Sequence, residues 1–172
     1  PAAPRKANVI LGVRRAGKTF LLYQEIRRLL DAGVDRRDVL YVNFEDDRLH
    51  PAAPDLPAAL LEAFYRFNPA ARRRTAYLFL DEIQIVPGWP RFVRRVLDPE
   101  NARVYLTGSS AKLLHAEVAT ELRGRGLAVE VFPFSFAESN AAAGVGRSAA
   151  MPPGPKRRSE LERRFLTYLD VG

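Results

Sequence analysis

Eight consecutive residues near the start of the chain have the types and the spacing of a loop that binds phosphate. The segment 12–19 reads GVRRAGKT and matches the pattern G-x-x-x-x-G-K-[ST]. Glycines let the backbone curl so that consecutive N–H groups point at phosphate oxygens, and the positive end of a following helix adds to the attraction. We expect Lys18 to reach the β- and γ-phosphates of a nucleotide and the hydroxyl of Thr19 to bind Mg²⁺.

The predicted nucleotide-binding segment covers this whole loop and the residue after it. A chance match is the alternative interpretation, but an apolar segment precedes the loop and an amphipathic one follows it, as a strand-loop-helix unit requires. The predicted contacts are Gly12, Val13, Arg14, Arg15, Ala16, Gly17, Lys18, Thr19 and Phe20.

A second group of candidates follows an apolar run. Residues 77–80 are apolar, and they are followed by Asp81 and Glu82. The carboxyl ends of parallel strands are where ligands bind, so we expect this pair to face the same crevice as the phosphate loop. Asp81 could hold Mg²⁺ directly or through water, and Glu82 could orient and deprotonate an attacking water. The alternative is that the two carboxylates merely begin a solvated loop.

A third candidate group is the polar end of another apolar segment, at residues 107–110. A polar side chain here could contact the γ-phosphate or the attacking water. Ser109 is the first choice, with Thr107 and Ser110 as alternatives. The same residues would also serve as a cap for a helix that begins near Ala111.

A fourth candidate is an arginine in the segment 121–126, which reads ELRGRG. Arg123 or Arg125, flanked by glycine, could act as an arginine finger that stabilises the charge of the transferred phosphoryl group, in cis or across a subunit contact. The alternative is a solvated turn, because arginine is abundant in this chain.

Strand and helix patterns alternate along the chain. Short apolar segments rich in β-branched or aromatic residues predict strands, and amphipathic segments between them predict helices. The strands are predicted at 8–11, 39–44, 76–80, 103–106 and 127–132, and the helices at 18–32, 56–67, 89–97, 111–122 and 136–143. This alternation predicts an α/β fold with a mostly parallel sheet covered on both faces.

A change of composition divides the chain. Residues 140–156 are crowded with Ala, Gly, Pro and Ser, which predicts a flexible linker between a core at 1–139 and a helical segment at 157–172. That segment would be a lid or the start of a further domain. The chain begins at Pro1 without Met, so we expect a piece of a longer protein.

Composition excludes several classes of site. The chain of 172 residues has no Cys and two His, which excludes disulfides and a Cys nucleophile and disfavours His-rich metal sites and Ser-His-Asp triads. No apolar run reaches membrane-spanning length, and residues 1–6 are not followed by the apolar stretch and cleavage site of a signal peptide, so we predict a cytoplasmic protein with no membrane association. The net charge of +7 suits nucleotides, nucleic acid or an anionic surface and does not choose among them.

Taken together, six ordered blocks resemble the prokaryotic AAA+ family ATPases whose loop reads G-x-R-R-x-G-K-[ST]. The match extends from about residue 8 to residue 138, and its blocks are 12–19, 43–49, 80–89, 106–114, 122–125 and 132–136. The resemblance implies a P-loop NTPase of the AAA+/ASCE type, with strand order 5-1-4-3-2 between helices and an additional C-terminal domain. It also implies that Lys18 and Thr19 are the Walker A residues and that Asp81 and Glu82 are the Walker B pair.

The expected function is Mg²⁺-dependent hydrolysis of ATP to ADP and phosphate, coupled to a conformational change. Two alternatives stay open: a nucleotide-dependent signalling switch with little turnover, and an ATPase associated with DNA. A homo-oligomer or a protein partner would be compatible with any of the three. A P-loop kinase is disfavoured because no acceptor-site motif is recognisable and because Glu82 suits the activation of water.

Overall fold

The computed structural model describes residues 6–98, 101–108, 120, 122, 124–145 and 154–171. In chain order the elements are β1 (Ala7–Leu11), α1 (Lys18–Asp31), β2 (Val39–Asn43), α2 (Leu56–Phe67), β3 (Ala76–Asp81), α3 (Trp89–Leu97), β4 (Ala102–Gly108), β5 (Gly126–Glu130), α4 (Phe136–Ala142) and α5 (Pro155–Val171). All five predicted strands are present, with small differences at their ends. The helix predicted at 111–122 lies almost wholly outside the described residues.

The five strands form one parallel sheet in the order β2-β3-β4-β1-β5. This is the predicted order 5-1-4-3-2 read from the opposite edge, so the prediction is confirmed. In the register, Asn43 is opposite Asp81, and Leu11 is opposite Gly108. The carboxyl ends of β1 to β4 therefore lie along one edge of the sheet.

Helices cover both faces of the sheet because the strand residues alternate in direction. Val9 and Leu78 belong to the apolar cluster that includes side chains of α2 and α3. Ile10 and Phe79 belong to the cluster on the other face, which includes Leu22 of α1. The predicted α/β sandwich is thus confirmed.

The chain forms two compact units, Pro1–Val131 and Phe132–Gly172. In the second unit, Ser135 caps α4 through a capping box with Glu138, and the Glu138 carboxylate accepts hydrogen bonds from Ser135, which lower its pKa. The ring of Phe136 contacts the rings of Phe165 and Tyr168 at centroid distances of 5.2 and 5.7 Å.

The ends of the segment predicted as a linker are helical. The helix α4 continues to Ala142 and α5 begins at Pro155, so residues 140–142 and 155–156 of the predicted linker 140–156 are in helices. The reason is local: alanine is the best helix former, and proline is tolerated in the first turn. Residues 146–153 lie outside the described part of the chain. None of the described helices is long and apolar enough to cross a membrane.

The close approach of Gly12 to Val131, the residue after β5, yields a stability prediction. A Cβ built on Gly12 would lie 2.3 Å from the backbone oxygen of Val131, whereas one built on Gly33 would contact nothing within 4 Å. We expect Gly12→Ala to lower the free energy of unfolding by about 3 kcal/mol, because backbone must move, and Gly33→Ala to lower it by about 1 kcal/mol through its left-handed backbone alone. Denaturant unfolding of both variants measures the difference, and equal losses would contradict the prediction.

Candidate active site

The loop from Gly12 to Gly17 joins the end of β1 to the start of α1. Gly17, immediately before the helix, has a left-handed backbone with φ of 93°, and no side chain among the described residues caps the first turn. The N–H groups of that turn are therefore open to an anion, and the helix dipole favours one there. This confirms the strand-loop-helix geometry on which the prediction of a phosphate loop depends.

Lys18, the first residue of α1, points inward rather than into solvent. Its side chain is 4% exposed, its Nζ donates a hydrogen bond of 3.1 Å to the backbone oxygen of Val13, and it lies 3.3 Å from Oε1 of Glu82. Because buried charges are stable only when they are paired or hydrogen-bonded, this ion pair determines where both side chains lie. The pair brings the loop after β1 next to the carboxylate after β3.

Asp81 ends β3 and is completely buried. The hydroxyl of Thr107 donates to its Oδ1, and the hydroxyl of Tyr41 donates to its Oδ2 at 3.0 Å. Among the described residues no side chain forms an ion pair with Asp81. Its carboxylate is thus held in place by two neutral hydroxyl groups, one from each of the neighbouring strands.

Glu82 adopts a left-handed backbone, with φ of 53°, which is uncommon for a residue with a long side chain. Its N–H donates to the hydroxyl of Thr107 at 2.8 Å, and Nε2 of Gln84 donates to its Oε2 at 2.6 Å. With Lys18 on Oε1, both carboxylate oxygens have a partner. The backbone and the side chain of Glu82 are therefore fixed separately.

The other residues of the predicted nucleotide-binding segment are more accessible. Val13 and Phe20 are 47% and 65% exposed. The exposed Arg14 lies 3.5 Å from Glu45, which follows β2, and Arg15 has a positive φ of 65°. Ala16 and Thr19 are half-buried. The loop is thus anchored through Gly12 and Lys18, and its outer side chains face solvent.

The position of Arg125 does not support a role in cis. Arg125 precedes β5, and its backbone oxygen accepts a hydrogen bond from the N–H of Ala7, the first residue of β1. Because β1 and β5 are parallel, Arg125 lies at the amino edge of the sheet, opposite the edge that carries Lys18 and Asp81. Its guanidinium instead forms an ion pair with Asp98. A role across a subunit contact stays a prediction, and Arg123 lies outside the described residues.

Of the three candidates at the polar end of β4, only Thr107 is described; Ser109 and Ser110 lie outside the described residues. Thr107 is buried, and its hydroxyl donates to Asp81 while it accepts from the backbone of Glu82. Its single hydrogen is therefore used within the protein. The position of the hydroxyl makes Thr107 a support for the acidic pair.

Two residues of the site were not predicted from the sequence. Tyr41 lies inside β2, where its ring fits the apolar pattern of the strand. Gln84 lies in the short helical turn after Glu82. Burial, its hydrogen bond with Tyr23 and the charge of Asp81 raise the pKa of Tyr41 well above its ordinary value. One sequence signal could have identified Tyr41: it lies two residues before Asn43, so both side chains are on the same face of β2. This position points to the site only once β2 is known to lie beside β3.

Comparison with known proteins places this geometry in context. A family model described as an AAA domain matches residues 4–140. An uncharacterized protein of Methanocaldococcus jannaschii is 44% identical over 135 residues, which make up 78% of this chain and 28% of that protein. An uncharacterized protein of Haemophilus influenzae is 36% identical over 132 residues, which make up 76% of this chain and 32% of that protein. The chain therefore spans about a third, or less, of the length of these curated relatives.

The double role of Thr107 yields a prediction about stability. Replacing it with valine keeps its size but leaves the N–H of Glu82 without its acceptor and Asp81 without one donor. We expect Thr107→Val to lower the free energy of unfolding by about 3 kcal/mol, because buried polar groups lose their partners. Thr75→Val is the control, since the Thr75 hydroxyl has no hydrogen bond within the described part of the chain. Equal unfolding free energies for the two variants, measured in denaturant, would refute the expectation.

Proposed function

The chain belongs to the AAA domain family, which suggests a nucleotide-binding, ATPase-like function, and from this premise we propose that it binds ATP with Mg²⁺ and hydrolyses it. The observation that carries the proposal is the buried ion pair between Lys18 and Glu82. It joins a glycine-containing loop at a helix N-terminus to an acidic pair at a strand end. These are the parts that phosphoryl transfer to water requires.

Binding of the phosphates would be the work of the loop and the start of α1. The uncapped N–H groups of the first turn and the ammonium group of Lys18 supply positive charge from two directions. A bound γ-phosphate would offer Lys18 an alternative partner to Glu82, because the phosphate and the carboxylate both carry anionic oxygens. When nucleotide binds, Lys18 would therefore exchange the carboxylate of Glu82 for the γ-phosphate as its counter-charge.

The residues present fit a magnesium ion. No group of three or more His, Cys, Asp or Glu side chains in the described ranges could hold a metal, but Mg²⁺ ordinarily takes one or two protein ligands together with phosphate oxygens and waters. Asp81, a buried carboxylate without an ionic partner among the described residues, and the hydroxyl of Thr19 would hold it. The ion would supply positive charge to the β- and γ-phosphates.

Glu82 is the proposed general base. Its carboxylate would accept a proton from water as the water oxygen bonds to the γ-phosphorus and the bond from phosphorus to the bridging oxygen breaks, which releases ADP and phosphate. The left-handed backbone of Glu82 and the hydrogen bond from its N–H to Thr107 limit where its carboxylate can reach. The base is thus confined to the edge of the sheet on which the phosphates would lie.

A nucleotide-dependent switch with little turnover is the second candidate function. Both oxygens of Glu82 are engaged, one by Lys18 and one by Gln84, and a carboxylate held in this way is a poor base until a partner is displaced. The chain alone would then bind nucleotide without hydrolysing it, and a protein partner, a second copy of the chain or DNA would trigger turnover. Turnover measured with and without DNA separates this candidate from a constitutive ATPase.

Replacing the lysine tests nucleotide binding. We expect Lys18→Ala to abolish detectable ATP binding, because the variant loses the buried ammonium that would face the phosphates. The measurement is isothermal titration of ATP in the presence of Mg²⁺, with the exposed residue Lys6, replaced by alanine, as the control. An affinity of Lys18→Ala equal to that of the parent chain would contradict the proposed phosphate site.

Replacing the proposed base tests the reaction. We expect Glu82→Gln to bind ATP as the parent does and to lose turnover by a factor of about 100 or more, because the amide cannot accept the proton. Release of phosphate is measured beside Glu62→Gln, which changes a carboxylate on the outer surface of α2. Parental turnover in Glu82→Gln would remove Glu82 from the reaction. Binding by the parent without turnover in the absence of DNA would favour the switch, and turnover that appears only with DNA would identify DNA as its trigger.

A further inference from the structure

On the basis of the proposed function, we propose that Tyr41 is a positioning residue of the magnesium site. It acts through Asp81, whose carboxylate it holds in the orientation in which Mg²⁺ would be bound, and Tyr23 supports it from α1. Neither tyrosine belongs to the motifs from which the site was predicted. With Tyr41 orienting the metal carboxylate, the proposed site extends from the loop and the acidic pair to β2.

The geometry consists of three groups in a row. The hydroxyl of Tyr23 lies 3.1 Å from the hydroxyl of Tyr41, and the hydroxyl of Tyr41 lies 3.0 Å from Oδ2 of Asp81. The two rings also contact each other, with centroids 5.2 Å apart. Tyr23 belongs to α1, Tyr41 belongs to β2, and Asp81 is at the carboxyl end of β3.

The hydrogen bonds in this row have a fixed direction. A tyrosine hydroxyl has one hydrogen, and that of Tyr41 is donated to the carboxylate of Asp81. Tyr23 must therefore be the donor to Tyr41. Burial, the hydrogen bond to Tyr23 and the charge of Asp81 raise the pKa of Tyr41 above its ordinary value.

Two donors on different oxygens prevent the carboxylate from rotating. Thr107 of β4 donates to Oδ1 and Tyr41 of β2 donates to Oδ2, from opposite sides of β3. Each oxygen keeps a lone pair for the metal or its waters. Removing the Tyr41 hydroxyl would leave Asp81 held on one side only. When a metal ligand loses a side chain that orients it by a hydrogen bond, metal binding is ordinarily weakened tenfold or more.

Tyr105 provides a matched control for the loss of a hydrogen bond from a tyrosine to a carboxylate. The hydroxyl of Tyr105, on β4, donates to the carboxylate of Glu25 on α1 at 3.0 Å. Burial and this carboxylate raise the pKa of Tyr105 to about 12. Its bond is of the same kind and length as that between Tyr41 and Asp81, but Glu25 is not part of the proposed site. Tyr105→Phe therefore reports what the loss of a tyrosine-carboxylate bond does to the fold alone.

The experiment measures how strongly Mg²⁺ promotes nucleotide binding. Affinity for a slowly hydrolysed ATP analogue is measured by titration calorimetry, once with saturating Mg²⁺ and once with EDTA, for the parent chain, Tyr41→Phe, Tyr23→Phe and Tyr105→Phe. Thermal unfolding of each variant shows that it is folded. The ratio of the two affinities is the quantity compared, since a general loss of stability would change both in the same direction.

We expect Tyr41→Phe to reduce this ratio about tenfold while its affinity in EDTA stays within about twofold of the parent. Tyr23→Phe should reduce the ratio about threefold, since it removes only the support of Tyr41, and Tyr105→Phe should match the parent. A ratio in Tyr41→Phe equal to that in the parent or in Tyr105→Phe would overturn the positioning role and leave the proposed function intact. A parent chain whose nucleotide binding does not respond to Mg²⁺ would overturn the magnesium site and the positioning role together.

Discussion

Three charged side chains are buried together at the carboxyl edge of the sheet, and their mutual arrangement constrains the rest of the structure. Lys18, Asp81 and Glu82 are 4%, 0% and 7% exposed. One lysine cannot neutralise two carboxylates, so one of them needs neutral donors if it is to remain charged in a buried position. Lys18 pairs with Glu82, and Asp81 is stabilised by hydroxyl groups.

The order of the strands makes this division possible. Because β3 lies between β2 and β4, Asp81 can receive one hydroxyl from each neighbour, Tyr41 on one side and Thr107 on the other. The lysine comes from beyond β4, since β1 is two strands away from β3, a distance of about 10 Å. A lysine side chain is long enough to cover much of that gap, and β4 ends between the two strands in Gly108, which has no side chain to obstruct it.

The sequence revealed the local parts of this arrangement more completely than the long-range ones. The apolar strands, the helices α2 and α3 and the acidic pair were legible, because burial patterns and turn residues act within a few positions. The strand order came from the resemblance of ordered motifs to a known family. Tyr41 was missed because its polar role exists only once β2 lies beside β3. Whether Arg125 could act in cis was left open, because its distance from the loop depends on the long-range pairing of β1 with β5.

In the proposed reaction, the contacts that stabilise the buried charges must rearrange when phosphate arrives. Breaking a buried ion pair without replacement would cost about 3–5 kcal/mol, so Lys18 can leave Glu82 only if another anion takes its place. A γ-phosphate provides that anion, and it leaves Glu82 with Gln84 and a freed oxygen that can face water. The bond of the Glu82 N–H to Thr107 and the bond of Gln84 to its Oε2 do not involve Lys18, so the backbone and the carboxylate would each keep a partner when the lysine moves. The same ion pair would thus keep the base inactive without nucleotide and make its release depend on the presence of the substrate.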